Sequence, residues 1–85
     1  MKTYRLYILR SAQRELAKSP IPVYERVRDA ILDLSENLRP AGCLKLRGRE
    51  GWRLRVGDYR VAYEIDDRAE TVTVLHIGHR RDVYR

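Results

Sequence analysis

Arg53, Arg55 and Arg60 stand in a stretch, Trp52 to Ile65, whose other members are mostly apolar. A guanidinium keeps its proton at every relevant pH and offers its donors as a planar fork. Such a set suits the binding and neutralisation of phosphate oxygens, not the removal of a proton. Lys45 and Arg47 lie just upstream, and residues 43–60 hold six basic side chains against two acidic ones. For any single arginine the simpler reading is a solvated outer face whose long side chains cover a sheet. Three together, with Lys45 and Arg47 beside them, point to a phosphate site. A second basic cluster follows, Gly78-His79-Arg80-Arg81-Asp82-Val83-Tyr84-Arg85. Arg80, Arg81 and Tyr84 combine charge with an aromatic ring, the mixture that suits a nucleotide base stacked beside its phosphates. His79 belongs to the residue type that exchanges a proton near neutrality and is the acid–base candidate of that cluster.

The other reactive residue types are assigned no chemistry. Cys43 is the one cysteine, so no intrachain disulfide forms, and it has no base beside it in sequence. With two histidines there is no zinc quartet, and neither metal nor cofactor is expected. His76, inside an apolar β-branched run, reads as structural. Tyr4, Tyr7 and Tyr24 are explained by packing.

The elements that must position these residues follow from periodicity. Tyr4 to Leu9 reads as a strand and Ala12 to Lys18 as a short helix with Ser11 as its cap. Ser19-Pro20 opens a second helix, with Ser19 at the cap and Pro20 at the first helical position. Apolar residues then recur at Val23, Val27, Ile31, Leu34 and Leu38, one stripe along a helix that Pro40-Ala41-Gly42 ends. The two helices are expected to form a hairpin. After Gly42 the chain reads as strands: Leu44 to Arg47, Trp52 to Val56, Tyr59 to Ile65 and Thr71 to Ile77, the last apolar enough to be central. The expected fold class is α+β, with an N-terminal strand and a helical hairpin packed on one face of a mainly antiparallel sheet of about four to five strands.

The two-residue loop Gly57-Asp58 sets the register of the hairpin around it. Val56 faces Tyr59, Arg55 faces Arg60, Leu54 faces Val61, Arg53 faces Ala62 and Trp52 faces Tyr63. Trp52, Leu54, Val56, Tyr59, Val61 and Tyr63 then share the face under the helices. Arg53, Arg55 and Arg60 share the other, with Glu64, and are expected to be open to solvent.

The chain has 85 residues, with 18 Lys and Arg against 12 Asp and Glu, a net charge of +6. That excess favours a polyanion or an acidic protein as partner. No apolar run approaches the roughly 20 residues that span a bilayer, and no signal-peptide core follows the amino terminus. The expectation is one domain over residues 1–85, cytoplasmic and without a membrane partner.

Lys45-Leu46-Arg47-Gly48, then Trp52-Arg53-Leu54-Arg55-Val56-Gly57-Asp58-Tyr59-Arg60-Val61-Ala62-Tyr63, then Ile77-Gly78-His79-Arg80-Arg81-Asp82-Val83-Tyr84 resemble, in order and spacing, the RelE branch of the RelE/ParE toxins of bacterial toxin–antitoxin pairs. The resemblance covers essentially the whole chain. It implies a RelE-like fold and an mRNA interferase that cuts messenger in the ribosomal A site without a metal. By the same resemblance Arg53, Arg55, Arg60, Arg80 and Tyr84 carry the reaction, and Lys45, Arg47 and Arg81 contact RNA. The implied partners are a RelB-like antitoxin, the ribosome with its messenger, and operator DNA bound through the antitoxin. Where well-studied members have lysines in the third strand this chain has Arg53 and Arg55, which leaves the proton acceptor open between His79 and Glu64. Two other readings share the features: a ParE-like toxin acting on DNA gyrase without catalysis, and an RNA-binding module.

Overall fold

The computed structural model describes residues 3–48 and 50–79. The order of elements is β1 (Arg5–Ile8), α1 (Arg10–Ala17), α2 (Ile21–Leu34), β2 (Leu44–Lys45), β3 (Trp52–Val56), β4 (Tyr59–Asp66) and β5 (Thr71–His79). The five strands form one sheet in the order β1-β5-β4-β3-β2, parallel between β1 and β5 and antiparallel elsewhere. The crossover that parallel pairing requires is the α1–α2 unit. The expected α+β class and β5 as an interior strand are both observed.

Ala12 and Leu16 of α1 and Val27, Ile31 and Leu34 of α2 pack against Leu54, Val61, Tyr63, Val72, Val74 and Ile77 of the sheet. The apolar stripe of α2 and the period of two in β3 and β4 therefore meet in one core.

The helix ends differ from the sequence reading. The cap of α1 is Leu9, not Ser11, and Gln13 ties the start by donating from its side chain to the Ile8 carbonyl at 2.8 Å. Pro20 is the cap of α2, with Pro22 inside its first turn, because fixed proline φ suits both places. Ser19 instead turns its hydroxyl to the Glu15 carbonyl at 3.3 Å. The second helix stops at Leu34, before Pro40, where Ser35 donates from its hydroxyl to the Leu32 carbonyl and competes with the next helical turn. Leu38 nevertheless packs on the core from the following loop. β2 is two residues long, shorter than the alternation of Leu44 to Arg47 implies.

Gly51, at φ +124, shows where the turn before β3 is tight. A Cβ there would come 3.0 Å from the backbone oxygen of Tyr63. The register of β3 with β4 is the one set by the Gly57-Asp58 loop, pair for pair from Trp52–Tyr63 to Val56–Tyr59. Between β4 and β5 the pairing skips Leu75: Ala62 faces His76 and Tyr63 faces Val74. This bulge puts one extra residue in β5.

Candidate functional site

The face of the sheet away from the core is organised in rows by this register. One row reads Arg55, Arg60, Gly78 across β3, β4 and β5. The next reads Leu44, Arg53, Ala62, His76 across β2 to β5. Glu64, paired with Thr73, lies one row further.

The arginines of these rows differ in exposure. Arg55 is exposed and donates from Nε to the Gly57 carbonyl at 3.1 Å, which holds it against the turn. Arg53 is half-buried. Arg60 is only 7% exposed, and its Nε and Nη1 are closed off from solvent. The expectation of an open arginine face is corrected here. Arg60 has Gly78 as its β5 partner and Ala62 two residues on along β4, neighbours with little or no side chain of their own. Trp52 is corrected in the other direction: expected under the helices, it is half-buried, and the Arg39 guanidinium lies 5.3 Å from the centre of its ring.

Burial gives Arg60 its chemical character. A guanidinium keeps its charge even in a dehydrated recess, and water there no longer screens it. Arg55 stands directly opposite, and a like-charge pair across strands costs about 0.2–1 kcal/mol. A phosphate placed over the row removes that repulsion and meets donors already in place.

The remaining sequence candidates are spread around this face. Lys45 pairs with Trp52 and so belongs to the side opposite Arg53. It borders a groove of about 290 Å³ at the sheet's β2 end, lined also by Arg39, Glu50, Trp52, Glu64 and Asp67, which takes residues from both faces. Arg47 is exposed in the turn after β2. His79 pairs with Tyr59, on the core side of the sheet, and packs edge-on against its ring with centroids 5.5 Å apart. The structure therefore does not bring His79 to the arginine rows. Arg80, Arg81 and Tyr84 lie outside the described residues. Cys43 is half-buried beside Tyr63, whose hydroxyl donates to the Leu38 carbonyl at 2.9 Å. Burial first, and then the neighbouring thiol, push the Tyr63 phenol far above its ordinary range. Among the described residues no three His, Cys, Asp or Glu side chains gather as metal ligands, and no helix is long and apolar enough to cross a membrane.

His76, read from the sequence as structural, stands in the row of Arg53 and Ala62. Its signal, an imidazole in a strand at the position level with Arg53, depends on the bulge at Leu75, which has no marker in the residues themselves.

A family model described as the ParE toxin of the type II toxin–antitoxin system matches residues 6–84. The chain belongs to this family. Toxin RelG of Mycobacterium tuberculosis is 37% identical over 84 residues, covering 96% of this chain and 97% of that protein. The toxin of the Mycobacterium tuberculosis RelBE2 toxin–antitoxin complex superposes with a TM-score of 0.78 at 33% identity, over 92% of this chain and 99% of that one. The isolated E. coli RelE toxin superposes with a TM-score of 0.72 at 29% identity, over 95% of this chain and 90% of that one. The chain is thus a RelE-like toxin of a type II toxin–antitoxin system, in the RelE/ParE superfamily.

Proposed function

We propose that this toxin is a ribosome-dependent endoribonuclease that cuts messenger in the A site and so halts translation. The observation that carries this reading is the pair of arginine rows with a charged, solvent-shielded Arg60 at the centre. A surface that only binds partners gains little from a buried guanidinium. A site that must stabilise a phosphorane gains a great deal, because preformed donors act most strongly where water is excluded.

The reaction needs no metal. The 2′-hydroxyl oxygen attacks the adjacent phosphorus, the bond to the 5′ oxygen breaks, and a 2′,3′-cyclic phosphate and a 5′-hydroxyl result. Arg60 and Arg55 hold the scissile phosphate and neutralise the charge that develops on it, and Arg53 binds the neighbouring backbone. By resemblance Arg80 serves the leaving oxygen and Tyr84 stacks on or orients the nucleotide. Lys45, Arg47 and Arg81 supply general attraction to RNA, and His79 precedes the reacting segment.

The partner that neutralises the toxin is an antitoxin of the RelB type. Several structurally similar chains come from RelB–RelE toxin–antitoxin complexes. The +6 charge suits an acidic partner. Growth arrest on expression of this chain, relieved by its neighbouring open reading frame, is the expected behaviour. Operator DNA is bound by the pair through the antitoxin.

One second reading is favoured by a specific finding, since the matching family model carries the ParE name. In that reading the chain inhibits DNA gyrase. A translation extract separates the two. Cleaved messenger on ribosomes supports the nuclease; intact messenger with blocked supercoiling supports gyrase inhibition.

A further inference from the structure

The arginine rows can hold a phosphate but cannot accept a proton, so the acceptor must be a titratable side chain on the same face. Among the described residues the nearest such groups in the register are Glu64 and His76, with Asp66 one row beyond Glu64. Glu64 lies on β4 four residues from Arg60, about 13 Å along an extended strand. His76 lies on β5 as the partner of Ala62, and Arg60 pairs with Gly78 two residues further along β5. His76 is therefore a diagonal neighbour of Arg60, at about 7–8 Å between backbones, and Ala62 between it and Arg53 contributes only a methyl group. The bulge at Leu75 creates this placement.

His76 is also held and accessible. Its Nδ1 lies 4.0 Å from Oε1 of Glu15 on α1, and the two side chains are 42% and 43% exposed. Nδ1 is the ring nitrogen nearest the carboxylate, at ion-pair and not hydrogen-bond distance, which leaves Nε2 for a reactant.

We propose that His76 is the proton acceptor of the arginine face and that Glu15 is its positioning residue. The inference rests on the ribonuclease reading above and deepens it. The 2′-hydroxyl proton passes to Nε2 of His76 as its oxygen forms the new bond to phosphorus. The bond to the 5′ oxygen breaks, that oxygen takes a proton from water, and the imidazolium returns its own to solvent, so no co-reactant is consumed. By contact and register the charged groups around His76 are Glu15 of α1, Arg53 of β3 in its row, and Arg60 and Glu64 of β4 in the flanking rows. Pairing with β1 stops at Val74, short of His76.

The test is single-turnover cleavage of messenger on programmed ribosomes across pH by the unaltered chain, His76→Gln and Glu15→Gln. The His76 variant is expected to bind ribosomes as well as the unaltered chain and to cleave about 100-fold or more slowly, with the acid limb of the pH profile lost. Glu15→Gln is expected to cleave about tenfold more slowly, with ribosome binding unchanged and Glu15→Asp recovering part of the rate. Cleavage by His76→Gln at the unaltered rate and with the unaltered profile overturns the proposal and leaves the nuclease reading standing. If His76→Gln does not fold, cleavage by Glu15→Gln at the unaltered rate overturns it. No cleavage by the unaltered chain overturns the nuclease reading itself, and this inference with it.

Discussion

The two faces of the β3–β4 hairpin come from the same fourteen-residue stretch, yet they solve opposite problems. On the core face Leu54, Val61 and Tyr63 are 9%, 0% and 0% exposed, and their burial removes apolar surface from water. On the other face, one residue out of phase, Arg60 is almost as deeply buried and carries a charge. Burial on the first face stabilises the fold. On the second it keeps water from screening a charge, the property on which the nuclease reading draws.

Substitutions that treat the faces differently sharpen this contrast. Tyr63→Ala on the core face should cost about 3–5 kcal/mol, much of the stability of a domain this size, and chemical denaturation checks it. Arg60→Met on the other face keeps volume and removes the charge. It should leave a cooperative unfolding transition and reduce cleavage about 10²–10³-fold, as loss of one preorganised donor does. An Arg60→Met protein that cleaves normally would break the comparison.

Alkaline titration gives a smaller signature of the core face. The Tyr63 phenol is raised in the folded state above its ordinary value of 10.0, so the unfolded chain releases that proton first. Its contribution is complete below about pH 10 and is lost as pH climbs above it, at no more than about 1.4 kcal/mol per pH unit. Tyr63→Phe should remove that dependence. Smallest is Arg55→Ala, a change at an exposed position, expected within about 0.5 kcal/mol of the unaltered stability while cleavage falls.

Alternation and turn chemistry made the hairpin readable from its residues: Gly57-Asp58 fixes which side chains share a face. The α2 stripe and the interior position of β5 were readable for the same reason, because period and composition are local. The burial of Arg60 was not, since alternation says which face a side chain takes and not how closely its surroundings shut around it. The placement of His76 and His79 on opposite sides depends on strand pairing and on a bulge that costs one residue of register, and periodicity across Thr71 to Ile77 does not reveal either. The helix caps were misplaced because Ser11 and Ser19 are good caps by type, whereas Leu9 and Pro20 occupy those positions through backbone geometry. Arg80, Arg81 and Tyr84 lie outside the described residues, so their roles rest on resemblance alone.

The most direct measurement of the central claim is to map the 5′ ends of cellular messenger after brief induction of this chain, beside Arg60→Met produced at the same level. The account predicts new 5′-hydroxyl ends within translated codons for the unaltered chain and their near absence for Arg60→Met. Full-length messenger during a growth arrest that both proteins cause equally would contradict it.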